Sequence, residues 1–222
     1  MCPVALKSPA LPTPADVRRL PAFSTGMTIG LFGGSFNPPH EGHRHASLVA
    51  MTRLGLDRIW WLVTPGNPLK DNDGLPSLEM RVAAARSLAA HPRIAVTGIE
   101  AAIHTRYTYD TICWLERHCP GVTFVWIMGA DNLAGFHRWQ HWRDIASRIA
   151  IAVVARPGAT TKGPLAKAAR ALAAWRLPEH DARKLKHRRP PAWVFLHAPL
   201  DATSSTALRA KGAGLPAESP IS

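Results

Sequence analysis

Gly33-Gly34-Ser35-Phe36-Asn37-Pro38-Pro39-His40-Glu41-Gly42-His43 stands between two segments of different character. Before it, Met27 to Phe32 is a short apolar run that reads as a buried strand. After it, Glu41 to Leu54 carries Ala46, Val49, Ala50 and Leu54 at helical spacing. The glycines therefore occupy a strand-to-helix turn, where absent side chains let backbone N–H groups approach a phosphate. Pro38 and Pro39 suit the start of a helix, where a missing N–H costs least. His40 and His43 are three apart, so both rings are expected on one side of the first turn. Two imidazoles, a glycine turn and the positive end of a helix together suit a polyphosphate. Two histidines at this spacing, taken alone, are more often surface residues of an amphipathic helix. The register of the glycines with Phe36, Pro38 and Gly42 favours the functional reading.

Outward from this unit the pattern repeats. Ile59 to Val63, Ile94 to Val96, Val122 to Met128, Ile149 to Ala155 and Trp193 to Leu196 read as strands. Ser77 to Ala90, Thr108 to His118 and Leu165 to Trp175 read as helices between them. Strands alternating with helices predict an α/β fold: a single Rossmann-like, doubly wound parallel sheet with helices on both faces. In such sheets ligands bind beyond the carboxyl ends of the strands, near the point where strand order reverses. Residues 27–210 are expected to form this domain. Residues 1–26, with Pro3, Pro9, Pro12, Pro14 and Pro21 and little periodicity, read as a mobile extension, and 211–222 as a mobile tail.

Composition excludes some alternatives. No apolar run approaches the ~20 residues of a membrane span, and the N-terminal stretch lacks the apolar core of a signal peptide. Cys2, Cys113 and Cys119 have no metal spacing, and Cys113 and Cys119 read as reduced thiols of a cytoplasmic protein. The formal net charge of +12 admits anionic partners, nucleic acid among them. Much of the excess sits in Arg183-Lys184-Leu185-Lys186-His187-Arg188-Arg189, which reads as a solvated surface run.

The turn resembles the G-x-F-x-P-x-H-x-G-H signature of the nucleotidyltransferase superfamily that carries a T/H-x-G-H motif. Asp201-Ala202-Thr203-Ser204-Ser205-Thr206-Ala207-Leu208-Arg209 is similar to its S-S-T-x-x-R motif, although Ser and Thr before Ala-Leu-Arg would by themselves be read as a helix cap. Between the two, Gly129-Ala130-Asp131-Asn132-Leu133 resembles the G-x-D-x-L of nicotinate-nucleotide adenylyltransferases, and Phe136-His137-Arg138-Trp139 their F-x-x-W. Arg106-Tyr107-Thr108-Tyr109 resembles their S-Y-T segment, Pro65-Gly66-Asn67-Pro68-Leu69-Lys70 their P-x-x-x-P-x-K loop, and Arg156-Pro157-Gly158 their R-P-G turn. Singly, Trp139 and Trp142 read as core and Asp131 as a helix cap; the joint pattern favours the site.

The resemblance implies adenylyl transfer from ATP to nicotinate mononucleotide. His40, His43 and Arg209 would be catalytic. Gly33, Gly34, Ser35, Phe36, Gly129, Asp131, Ser204, Ser205 and Thr206 would complete the ATP site. Asn67, Lys70, Tyr107, Thr108, Trp139 and Arg156 would bind the nicotinate nucleotide. A Mg²⁺ bridging the ATP phosphates is expected, with no dedicated protein ligands. The alternatives are an adenylyltransferase acting on nicotinamide mononucleotide or phosphopantetheine, or a basic nucleic-acid-binding protein on this fold. No specific nucleic acid and no membrane partner are expected.

Overall fold

The strand-forming runs assemble much as their β-branched and aromatic content dictates. A computed structural model describes residues 12–66, 74–155 and 166–197. Its strands are β1 (Thr28–Gly34), β2 (Arg58–Val63), β3 (Ile94–Thr97), β4 (Thr123–Gly129), β5 (Ala150–Val154), β6 (Arg176–Leu177) and β7 (Trp193–Leu196). They form one parallel sheet in the order β3-β2-β1-β4-β5-β7-β6. Strand order runs outward from β1 to β3 and then restarts on the other side with β4. The reversal lies between β1 and β4, which pair directly with Phe32 opposite Ile127. Their carboxyl ends, Gly34 and Gly129, therefore flank the crevice where this kind of sheet takes ligands.

Successive strand residues face opposite sides of the sheet, so the neighbours Trp60 and Trp61 enter different cores. One core joins Leu31, Trp60, Trp126, Ile151 and Phe195 to α5 (Thr108–His118), α6 (Ala130–Gly135), α7 (Trp142–Arg148) and α8 (Lys167–Ala171). The other joins Phe32, Trp61, Ile127 and Val194 to α2 (Glu41–Leu54) and α3 (Leu78–Ala89). Apolar cover on both faces explains why the strands read as continuous apolar runs.

Three features depart from the sequence reading. Residues 12–26 fall in the stretch read as mobile, yet they pack on the domain. At the end of the short α1 (Pro14–Val17) the Val17 side chain is fully buried, the Gly98 N–H donates to the Val17 carbonyl at 2.7 Å, and Thr97 Oγ1 donates to Arg19 O at 2.8 Å. The basic run is exposed at Arg183, Lys184, His187, Arg188 and Arg189, as read, but its first part lies in a 3₁₀ helix, Glu179–His187, anchored by buried Ala182 and Leu185, with Lys186 Nζ donating to Gly55 O at 2.9 Å. The helix expected over Leu165 to Trp175 is broken, α8 giving way to a 3₁₀ turn at Ala173–Trp175.

Because Val17 is wholly removed from solvent, Val17→Ala should lower unfolding stability by roughly 2 kcal/mol while leaving turnover intact. Denaturant unfolding checks this, and an unchanged midpoint would mean that the segment adds nothing to the fold.

Candidate active site

The decisive turn folds with one difference from expectation. Helix α2 begins at Glu41, and His40 caps it in extended conformation (φ −148°, ψ 164°). Pro38 and Pro39 therefore lie before the helix rather than at its first positions. An N-cap residue and the third helical residue are natural partners, and here both are histidines. The His40 N–H donates to His43 Nδ1 at 3.2 Å, and the His43 N–H donates to His40 O at 2.8 Å. The ring centroids stand 3.8 Å apart, and both side chains are buried. With Nδ1 accepting, the neutral His43 ring carries its proton on Nε2. The N-terminus of a 14-residue helix adds a field that favours an anion at this place.

His43 is held from behind. Phe36 has a positive φ of 48°, an uncommon conformation for a bulky residue. This turns its ring inward, where it stacks on Trp61 at 4.9 Å and lies 4.8 Å from the His43 ring. Trp61 Nε1–H donates to Ser47 Oγ at 2.8 Å, and Ser47 donates to the His43 carbonyl at 2.9 Å. Phe36 can therefore offer a ligand only its backbone. Gly33 has a further reason to be glycine: a Cβ there would sit 2.8 Å from Trp126 Cη2. The space cleared by this glycine is filled by an indole.

Gly129 ends β4 and caps α6, which leaves Asp131 exposed in the first turn of that helix rather than at its cap. Trp139 follows a 3₁₀ turn, Phe136–Arg138, and is half-buried. It meets Trp126 edge-on at 6.1 Å and Phe136 at 5.3 Å. Trp142 is core, 8% exposed. Tyr107 occupies the cap position of α5, is 39% exposed, and Thr108 opens the helix. The fold thus brings Gly33 and Gly34 at the end of β1, with Ser35, Phe36, His40 and His43 after it, beside Gly129 at the end of β4 and Asp131 after it. Tyr107 and Thr108 stand at the start of α5, and Trp139 is linked to the β1 end through Trp126, which packs against Gly33. Asn67, Lys70, Arg156, Ser204, Ser205, Thr206 and Arg209 lie outside the described residues.

Two buried ionisable residues near these turns escaped the sequence reading. Arg81 is 1% exposed and, among the described residues, donates to backbone carbonyls only, those of Pro76, Ser35, Thr64 and Pro65. Its signal was present, since it falls in the buried stripe of α3 with Val82, Ala85 and Ala89. Glu100 lies in α4 (Ile99–Ala102), a single turn that no periodicity announces. Its carboxylate accepts from Thr111 Oγ1 at 3.0 Å and also bonds the Thr64 side chain. It thereby ties the end of β2 to the first turns of α5.

Burial pushes the Glu100 carboxyl from its ordinary 4.5 up to about 7, against the opposing hydrogen bonds of Thr111 and Thr64. Between those values the unfolded chain ionises first, so this group's contribution to stability is present at low pH and lost as pH rises toward 7. Glu100→Gln keeps the shape and the acceptor for Thr111 without the charge. Its melting temperature should gain on the wild type between pH about 5 and about 8. A gap that does not change with pH would contradict the buried, uncharged carboxyl.

Comparisons with known proteins identify relatives of this chain. A cytidylyltransferase-like family model matches residues 31–211. The chain is 58% identical over 185 residues to a "Probable nicotinate-nucleotide adenylyltransferase" of Methylorubrum extorquens, covering 83% of this chain and 100% of that relative. It is 59% identical over 183 residues to a protein of the same description from a Bradyrhizobium species, covering 82% of this chain and 95% of that one. Among solved structures it is similar in fold to a Plasmodium falciparum nicotinic acid mononucleotide adenylyltransferase complexed with NaAD. That likeness has a TM-score of 0.59 at 16% identity over 83% of each chain.

Proposed function

The chain belongs to the cytidylyltransferase-like family, and on that premise we infer that it transfers the adenylyl group of ATP to nicotinate mononucleotide, giving deamido-NAD and pyrophosphate. The observation that carries the chemistry is the His40–His43 pair at the start of α2, beside the end of β4. An oxygen of the acceptor's phosphate attacks the α-phosphorus of ATP. The bond from that phosphorus to the bridging oxygen breaks, and pyrophosphate leaves with the electron pair. The acceptor phosphate is already ionised at neutral pH, so no general base is required. The work is positioning two polyanions and stabilising charge as it shifts to the leaving group.

We assign His43 Nε2–H to an α-phosphate oxygen, as the donor that its Nδ1 bond selects, and His40 to the phosphates alongside. Backbone groups of Gly34, Ser35 and Phe36 complete this environment. Ser204, Ser205, Thr206 and Arg209 match the family's second phosphate motif and are assigned to the β- and γ-phosphates. Gly129 and Asp131 are assigned to the nucleoside. Tyr107, Thr108 and Trp139 are assigned to the pyridine, with Asn67, Lys70 and Arg156 on the acceptor's phosphate side. A Mg²⁺ fits the same reading without a protein cage. The described phosphate turn offers imidazoles, whereas Mg²⁺ takes oxygen ligands, which the triphosphate and water supply. Bound there, the ion would neutralise charge on the pyrophosphate. Among the described residues no helix is long and apolar enough to cross a membrane, and Cys113 and Cys119 are free thiols. Both accord with the cytoplasmic setting of such an enzyme.

A pyrophosphate-release assay with ATP and Mg²⁺, offering nicotinate and nicotinamide mononucleotides in parallel, should show strong preference for the acid. Equal use or preference for the amide would overturn the pyridine assignment at Tyr107 and Thr108. His43→Ala should lose about 10²–10³-fold in kcat, as removal of one preorganised donor does elsewhere. Near-normal turnover in that variant would remove the mechanism.

A further inference from the structure

Arg81 is a cation placed where a cation is expensive. Its guanidinium is buried, and among the described residues no carboxylate stands within ion-pair distance of it. Burial pulls its pKa down to about 10, so it remains charged at neutral pH. Removing such a group from water costs several kcal/mol unless its donors are satisfied. Nε donates to Pro76 O at 2.9 Å, Nη1 to Ser35 O at 2.9 Å and Thr64 O at 2.7 Å, and Nη2 to Pro65 O at 3.3 Å. These carbonyls belong to three chain passages. Ser35 lies in the phosphate turn after β1, Thr64 and Pro65 leave β2, and Pro76 leads into α3.

An apolar side chain on this face of α3 could fill the same space without the desolvation cost. What it could not do is hold three loops at fixed separations. The planar fork of arginine sets the directions of its donors, so the positions of all four carbonyls are coupled through one rigid group. The Ser35 carbonyl is the nearest such anchor to the His40–His43 pair, five residues along the same turn. Moving Ser35 shifts the backbone N–H groups on either side of it relative to those rings.

We propose that Arg81 is a positioning residue for adenylyl transfer: through the Ser35 carbonyl it sets the phosphate turn after β1 in fixed register with the exit of β2. This rests on the adenylyl-transfer reading above. Arg81 does not touch substrate. It acts by holding the backbone donors where the α-phosphate needs them, and a misplacement of about 1 Å at such a distance can cost on the order of 10²-fold in rate.

The test compares wild type, Arg81→Lys and Arg81→Met in the pyrophosphate-release assay, with kcat and the KM values for ATP and nicotinate mononucleotide measured well below each protein's melting temperature. Lysine keeps the charge and the alkyl chain but concentrates its donors on one nitrogen. The expected result is a folded Arg81→Lys protein whose kcat falls by about 10²-fold without a matching rise in the KM for nicotinate mononucleotide. Added guanidinium should partly restore turnover in a further variant, Arg81→Ala, and methylammonium should not. Arg81→Lys turnover close to wild type would overturn the proposal, because charge and bulk would then suffice. Failure of both Arg81→Lys and Arg81→Met to fold would also overturn it, since Arg81 would then be a stability element. An inactive wild type would instead defeat the adenylyl-transfer reading, and the proposal with it.

Discussion

The first strand has to be thin. β1 lies between β2 and β4, and side chains from its neighbours occupy the space that its own would fill. A Cβ on Gly30 would come within 2.5 Å of Ile127 Cδ1 and 2.8 Å of Leu56 Cδ1. One on Gly33 would meet Trp126 at 2.8 Å. These two glycines admit large residues of β4 to opposite faces of β1, which lets β1 and β4 pair as the centre of the sheet. That pairing places the end of β1 next to the end of β4, and so puts the histidine turn beside Gly129. It also seats Trp126 so that its edge meets Trp139. The phosphate side and the aromatic side of the site are therefore joined through one missing side chain.

Polar burial follows the same geography. Of the buried polar and charged residues, His40, His43 and Ser47 lie in or just after the turn following β1. Arg81, Glu100 and Thr111 lie on the elements that flank the exits of β2 and β3. Thr64 joins two of these groups, its carbonyl accepting from Arg81 and its side chain bonding Glu100. Buried polar groups are costly to leave unpaired and geometrically demanding when paired. Apart from Thr28 at the start of β1, their concentration toward one end of the sheet leaves most of both cores to apolar packing and gives the loop end a single arrangement.

Much of this was legible in the sequence, for reasons that differ by element. The strands over 58–63, 123–129, 150–154 and 193–196 announce themselves because strands buried on both faces are continuous apolar runs. The histidine turn is legible because its chemistry is local: glycine, proline and histidine act within ten residues. What was hidden depends on partners distant in sequence. Val17 looks like part of a proline-rich leader until Thr97 and Gly98 supply its neighbours. Leu185 and Lys186, inside a basic run that is otherwise exposed, look solvated too until the second core and Gly55 receive them. β6 is two residues long and exists only because β7 is there to pair with it. Arg81 was visible as a charge in an apolar stripe, yet its meaning required knowing which carbonyls lay beneath.

The spareness of the chemistry explains why scaffold residues matter here. When the nucleophile arrives already ionised, a site needs no group tuned to take a proton, and the rate depends on where donors stand rather than on how they titrate. The donors that the proposed mechanism assigns to the reacting phosphorus are an imidazole whose tautomer is set by a backbone N–H, and backbone N–H groups whose positions are set by their carbonyls. Neither kind of donor can compensate for displacement as a long, flexible side chain would. Catalytic precision is thereby passed outward, from the histidines to Phe36, Trp61 and Ser47 behind them, and from Ser35 to the guanidinium below it. The buried aromatic and cationic residues around this turn form the part of the fold on which the reaction geometry rests.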